Sequence, residues 1–485
     1  MAGTRKWWTL AAVCTGVFML LLDVTIVNVA LPDIQHAFGA SLSDLQWVID
    51  AYALTLAALL LTAGSVADLV GRRLLFAVGI GVFTTGSLLC GVASDTTFLA
   101  LARAFQGIGG AIMFATALAL IADAFRGRDR GAAFGVFGAV TGVAVAVGPV
   151  LGGAITSGWS WRWIFFVNIP IGIAALAITL ARVAESRDPN ARQPDWLGFL
   201  TFSAGLGALV FGLIRSNVDG WGSATVVGSL VAAAVLIGAF VVVELAGSHP
   251  MFDFKLLRVP TFDGGLVAAW AISAALFSLL TYLVLYLQNI LGYSAVQAGV
   301  RFLPLTGAIF LTAGIAGRLS ARVPTRLLIG PGFVLVGAGL LLMHGLTPQS
   351  DWTALLAGMI VAGVGAGLVN VPLATTAVAV VEPARAGMAS GVNSTFRQVG
   401  IATGIAALGA IFSHSLGTAA TPQAYVDGLN TILLVGAAVA LVSAVAAFAL
   451  IRQRDYVVAT NSSTTTSGGA SSRTGRPLVP SPEVT

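Results

Sequence analysis

Charge is what this chain has least of: only 9% of its 485 residues are Asp, Glu, Lys or Arg, and 57% are hydrophobic. Soluble domains carry about 25% charged residues, so a water-covered surface is excluded over most of the chain and lipid takes its place. Lysine is reduced to Lys6 and Lys255. Neither stands in a glycine-rich phosphate loop, which excludes an ATP-driven pump of that design. The two cysteines, Cys14 and Cys90, lie in apolar stretches and offer neither a disulfide framework nor a metal site. The four histidines, His36, His249, His344 and His414, are scattered. No cluster of catalytic or ligating groups is expected, hence no metal, no cofactor and no enzyme. The net charge of +5 is spread over many short loops and makes no nucleic-acid surface.

Long apolar runs fill the sequence instead. A membrane helix takes about 20 mostly apolar residues. Breaking the chain at clusters of Gly, Pro and charge gives fourteen spans, 7–30, 45–66, 74–93, 97–121, 132–156, 163–183, 196–214, 223–246, 262–288, 296–317, 327–346, 352–378, 393–414 and 428–451. The first follows Arg5 and Lys6 as a signal peptide would, but it is long and carries Asp23, so it is read as a retained helix. With the N-terminus in the cytoplasm, 21 of the 25 basic residues fall on cytoplasmic segments, Arg397 among them. Arg162 and Arg215 fall in outer loops, and Arg103 and Arg301 fall inside spans. This bias is the positive-inside pattern and puts both termini in the cytoplasm. The Ser/Thr/Gly-rich segment 454–485 is expected to be a disordered tail.

The chain also repeats itself. Leu61-Thr62-Ala63-Gly64 recurs as Leu311-Thr312-Ala313-Gly314, each copy ending a span, and Gly64, Asp68 and Arg72 align with Gly314, Arg318 and Arg322. Gly107-Ile-Gly-Gly is echoed by Gly363-Val-Gly-Ala. The repeat predicts two six-helix halves, 1–183 and 261–453, with two inserted helices in 184–260. Two related halves that rock about a site between them suit a transporter.

Ionisable residues inside spans are the candidates for chemistry, because a charge in the bilayer interior costs about 2.5–3.5 kcal/mol on insertion scales and normally faces a cavity or a partner. They are Asp23, Asp50, Arg103 and Arg301, all placed in the outer half, with Asp23 about 10 Å below the outer end of its span. A carboxylate in a partly dry cavity can exchange protons, and Asn28 is a candidate to line the same cavity. An Asp–Arg pair that only fixes packing is the structural alternative. The turn Gly64-x-x-x-Asp68-x-x-Gly71-Arg72-Arg73 reads as a gate, a latch that one conformation makes and another releases, or as a turn that only sets topology. In the fifth span, Gly148-Pro149-x-x-Gly152-Gly153 combines a bend with close helix approach. The aligned Gly404-Ile405-x-x-Leu408-Gly409 lacks the proline, which suggests a specialised role for the fifth helix.

Together these segments resemble the major facilitator superfamily, specifically its fourteen-helix drug:proton antiporters, over roughly residues 7–451. Leu22-Asp23-Val24-Thr25-Ile26-Val27-Asn28-Val29-Ala30-Leu31-Pro32 is similar to that family's helix 1 motif, and Gly64 to Arg73 to the superfamily's loop 2–3 motif. Arg103-Ala-Phe-Gln106-Gly107-Ile-Gly109-Gly110 is similar to the helix 4 motif, whose arginine is linked to proton coupling; Gly148 to Gly153 is similar to the antiporter motif. Trp161 to Gly172, with Asn168-Ile-Pro170, fits the start of helix 6. Ala144 stands where the antiporter motif usually has glycine, with Gly142 nearby, and Leu69 replaces the usual basic residue after the aspartate. The resemblance implies an all-α membrane protein of the major facilitator fold, with fourteen helices as 6+2+6. It further implies a monomer in a bacterial plasma membrane that exports hydrophobic or amphipathic drugs in exchange for protons. An exporter of a specific metabolite, lipid or siderophore is the nearest alternative; a proton-coupled uptake symporter is a more distant one, because the helix 5 motif tracks with export.

Overall fold

A computed structural model describes residues 2–125, 128–187, 194–247, 252, 254–320, 322–381, 386–416 and 421–456. All regular structure among them is helical. The tail predicted to be disordered lies outside the described residues from 457 on. Thirteen helices are long and apolar enough to cross a membrane, and a shorter apolar one, Arg326–Leu342, brings the number to the predicted fourteen.

In chain order they are α1 Ala2–Phe38, α2 Leu42–Val70, α3 Arg72–Gly91, α4 Thr96–Ala124 and α5 Arg128–Gly158. Next come α6 Trp163–Arg182, α7 Trp196–Asp219, α8 Ala224–Ala246, α9 Pro260–Ile290 and α10 Ala295–Leu319. The last four are α11 Arg326–Leu342, α12 Thr353–Ala379, α13 Ala386–Leu416 and α14 Pro422–Leu450. Fourteen crossings put the start of α1 and the end of α14 on one face, the basic face, which carries Arg5, Arg72, Arg73, Arg182, Arg318 and Arg452. Several predicted spans depart from single straight helices. α1 continues through Pro32 to Phe38, so Asp23 lies well inside the helix and not one or two turns from its end. α6 breaks at Val167, and α10 breaks at Phe302 ahead of Pro304. α9 contains π-turns at Ser273–Phe277 and Tyr286–Ile290, a feature frequent where helices carry function. Arg397, expected on a cytoplasmic segment, sits eleven residues into α13.

The two halves have separate cores. One is built from Val13, Val17, Tyr52, Phe76, Phe83 and their neighbours within residues 10–183; the other, from Ile272, Tyr282, Phe333, Leu355 and Leu433, lies within residues 268–451. Some local features recur in both. Ser41 and Asp44 form a capping box at the start of α2, and Ser294 with Gln297 forms one at the start of α10, satisfying orphan N–H groups in the same way. A Cβ on Gly107 would lie 2.8 Å from the Tyr52 carbonyl oxygen of α2, and one on Gly109 would strike Phe83 of α3. In the second half Gly363 meets Leu305 of α10, and Gly365 meets Gly332 of α11. Small residues at these crossings let backbones touch, which is how membrane helices gain dispersion energy without a hydrophobic drive.

The inserted hairpin α7–α8 lies across a seam between the halves. Leu206, Val210 and Ile214 of α7 pack with Ala53 and Ala57 of α2 and with Ala402 and Ala406 of α13. Its basic-face end is held by aromatic contacts among Phe202, Phe240, Phe252, Phe254 and Phe262.

Candidate functional site

The centre of the first half is a closed polar network on Asp23. Arg103 donates to Asp23 Oδ2 at 2.6 Å, while Gln106 and Asn168 donate to Oδ1 at 3.0 and 3.1 Å. Ser87 accepts from both amides, at 2.7 and 3.2 Å. Arg103 Nη1 also donates to the Gln106 side-chain oxygen at 2.6 Å and its Nε to the Val48 backbone carbonyl at 3.2 Å, and the Tyr52 ring lies 4.2 Å from the guanidinium. Asp23, Arg103, Gln106 and Asn168 are each no more than 1% exposed. The local sequence explains the assembly. Arg103, Gln106 and Gly107 share one face of α4 by their spacing. Gly107 admits the Tyr52 backbone, and Gly86 of α3 makes room for Gln106. Asn168, directly after the interruption at Val167 in α6, donates its amide to Asp23. A buried ion pair in low dielectric holds only when its remaining groups are hydrogen-bonded, and here both carboxylate oxygens are.

Beside this network a cavity runs between the halves. Val24, Thr25, Asn28, Ile49, Tyr52, Arg103 and Pro149 line it from the first half, and Phe277, Leu280, Thr281, Val284, Phe302, Thr306, Gln398, Ile401 and Ile405 from the second. Asn28 accepts from the Thr281 hydroxyl at 3.4 Å across it. Arg103 therefore faces two ways, onto Asp23 and onto the cavity. No Asp or Glu is among the lining residues.

The other predicted residues separate. Asp50 is fully buried, and neither carboxylate oxygen has a hydrogen-bond partner. One turn earlier on α2, Gln46 donates to the Tyr282 hydroxyl at 3.1 Å and to the Ile405 carbonyl at 3.2 Å, so this face of α2 is pressed on the second half. Arg301 is not brought to Asp50 or Asp23. It donates to the Gln297 carbonyl and stacks on Tyr293 and Trp352, 3.5 and 5.2 Å from the ring centres.

The predicted gate turn is tied within its own half. Arg72 bonds Asp68 at 2.8 Å and Asp123, at the end of α4, at 2.6 Å. The Arg73 and Leu74 amides donate to Glu185, and Arg73 also reaches the Leu180 carbonyl. Gly71 has φ 130 and lies against Glu185, a conformation and a closeness that favour glycine. Gly64 has open space where a side chain would stand.

Gly148 to Gly153 is the hinge-like contact of α5. A Cβ on Gly148 would overlap Thr25 of α1, and one on Gly152 would lie 3.1 Å from Ile26 Cα. Gly153 abuts Ala295, and the Pro149 carbonyl meets Gly299, both partners on α10 of the other half. The second half follows the same plan: Gly404 receives Ala274 and Ser278 of α9, and Gly409 receives Gln46 of α2. The second half has Ile405 and Leu408 where the first has Pro149 and Gly152, while the flanking glycines keep their close contacts. Hydrogen bonds between the halves run from Gln46 to Tyr282 and Ile405, Thr281 to Asn28, Gln288 to Val29, Asn289 to Gln35 and Val296 to Ser157, and these lie toward the face opposite the basic one.

Sequence reasoning quoted Gln106 and Asn168 without giving them chemistry, and passed over Ser87 and Tyr52. The available signal was polar side chains in otherwise apolar spans. The model of the Major Facilitator Superfamily matches residues 13–405 and 308–482. The puromycin resistance protein pur8 of Streptomyces alboniger is 38% identical, covering 93% of this chain and 92% of that protein. Multidrug resistance protein Stp of Mycobacterium tuberculosis is 36% identical, covering 86% and 77%. A crystal structure of a bacterial homologue of the human lysosomal transporter Spinster, in an inward-facing conformation, superposes with a TM-score of 0.62 at 17% identity over 94% of this chain and 99% of that one. A glycine-packed pair of six-helix halves about a central cavity and a family model matching nearly the whole membrane region agree: the chain belongs to the major facilitator superfamily.

Proposed function

We propose that this chain exports hydrophobic or amphipathic small molecules, antibiotics among them, in exchange for protons, by alternating access of the central cavity. The observation that carries the reading is the Asp23–Arg103 pair at the cavity wall. A proton arriving on Asp23 cancels the charge that Arg103 balances. The guanidinium, which also lines the cavity, is then freed to move, and proton and substrate occupancy are linked through one side chain. Asp50, buried without a partner where α2 meets the second half, is the second candidate to carry a proton. The names of relatives such as the tetracenomycin C resistance and export protein of Streptomyces glaucescens, 34% identical over 420 residues, support export of antibiotics.

The basic face is taken as cytoplasmic, with both termini there and Gly64, Asp68, Gly71, Arg72 and Arg73 as its gate. The contacts joining the halves through Gly153, Gly299, Gly409 and Gln46 close the opposite, outer face, so this conformation faces inward. Arg301 would act from the outer rim, through Tyr293 and Trp352. The protein works as a monomer, since each half supplies part of one cavity.

The experiment is uptake of an antibiotic and dye panel into proteoliposomes with an imposed proton gradient. Accumulation that an uncoupler abolishes, and that Asp23→Asn abolishes, is expected. Accumulation indifferent to the uncoupler sinks proton coupling.

A further inference from the structure

Asp23, Asp50, Arg103 and Arg301 have a place in the account above. Asp23 commits both oxygens to Arg103, Gln106 and Asn168, and Asp50 is sealed from the cavity. Neither offers a free carboxylate to a cationic guest. Arg397 has no place in it yet. It lies on α13 one and two turns before Ile401 and Ile405, which line the cavity, and next to Gln398, which also does. Residues spaced by four share a helix face, so Arg397 continues the cavity stripe toward the basic face. It is half-buried and, among the described residues, has no hydrogen bond and no ion pair. Its guanidinium nitrogens are not among the buried, unpartnered atoms, so they reach accessible space.

An unpaired guanidinium within a span is costly, and such charges mark substrate paths or partners. The protein supplies no partner here, so a ligand is left to do so. The cavity lining includes no acid, and the charge of its Arg103 is balanced by Asp23, so the charge on Arg397 is the one left uncompensated, and a concave low-dielectric site focuses such a field.

We infer that Arg397 receives the acidic group of the substrate, so that the cavity selects amphipathic organic anions over lipophilic cations. A carboxylate, sulfonate or phenolate meets the guanidinium fork, a geometry that suits planar anions. The apolar body lies along Ile401, Ile405, Phe277 and Leu280. This inference rests on the export reading. It also has an energetic consequence: exchanging one proton for a monoanion moves two charges in the same sense, so an inside-negative potential drives export, whereas exchange for a monocation moves none.

The test uses the full chain in proteoliposomes and three dyes: 1-anilinonaphthalene-8-sulfonate, its neutral counterpart N-phenyl-1-naphthylamine, and the cation ethidium. Arg397→Gln is expected to raise KM for the sulfonate roughly tenfold to hundredfold and to leave the neutral dye unchanged, with Arg397→Lys in between. A potassium–valinomycin potential is expected to accelerate the sulfonate most, the neutral dye less and the cation not at all. Preferred transport of ethidium, or equal losses for the sulfonate and neutral dyes in a monodisperse Arg397→Gln protein, overturns the inference while export stands. No gradient-driven movement of any dye overturns export itself, and the inference with it.

Discussion

Removing Asp23 and Arg103 singly and together separates what holds the first half together from what couples it to protons. Asp23→Asn leaves Arg103 as a buried cation with only carbonyl partners; Arg103→Gln leaves Asp23 as a buried anion on two amides. Breaking a buried pair from one side costs about 3–5 kcal/mol, because the survivor is uncompensated. An unfolding entropy of about 2.1 cal/mol/K per residue over 485 residues gives roughly 1 °C per kcal/mol, so each single variant should melt about 3–5 °C lower. The double variant holds no stranded charge and keeps the Gln106, Asn168 and Ser87 amide–hydroxyl contacts, so its loss should be smaller than either single loss. Thermal melting in detergent micelles, tracked by tryptophan fluorescence, reads the order of the four proteins. Transport should not follow that order: all three variants lose proton-linked movement, the restored double variant included. Additive melting losses would refute the account, since they would mean that the two side chains do not sense each other.

Three other outcomes follow from the same geometry. Gly299→Val places a branched side chain against the Pro149 carbonyl and Val150, so it should pry open the outer face. Labelling of a cysteine at Ala295, which is 4% exposed in this contact, by an impermeant maleimide should accelerate about tenfold, and an unchanged rate would count against closure there. Asp50→Asn removes an unpartnered buried carboxyl group, so melting should hold or rise while transport falls; a lower melting temperature would reveal a structural partner. Tyr293 donates to Asp351 at 2.9 Å, and this bond, with the Trp352 and Thr353 amides, holds the exposed carboxyl group below its ordinary range. A depressed carboxyl pKa stabilises above the unfolded value and is lost as pH falls through the folded one. Tyr293→Phe should therefore lower melting at pH 7 slightly, with the loss fading as acid protonates Asp351; a gap of the same size that persists in acid would contradict the assignment to this bond.

Much of this architecture was legible because membrane helices are written in hydropathy and loop charge, which single residues seldom overturn. The Leu-Thr-Ala-Gly repeat led to equivalent helices, and the Gly107/Gly363 echo marked equivalent crossings. Asp23 and Arg103 stood out as ions in apolar surroundings, and the structure pairs them. What stayed hidden depends on direction. A span of the right length does not say that α1 runs on past Pro32. Composition does not reveal that Arg301 turns toward Tyr293, or that Asn168 starts a new helix beneath Asp23. Those are set by breaks and rotations of a helix through a few tens of degrees, below what a periodic pattern resolves. The missing proline in the second half suggested asymmetry, yet Gly404 and Gly409 pack as Gly148 and Gly153 do, because closeness of approach needs the glycines and not the bend.

The most direct test of the central claim is proton movement itself. Proteoliposomes loaded with a pH-sensitive dye, with no imposed gradient, would be given an outward or inward substrate gradient. Coupled exchange predicts a substrate-dependent pH change in the wild type, absent in Asp23→Asn. Substrate movement without any proton movement in the wild type, or proton movement that survives Asp23→Asn intact, would contradict the account.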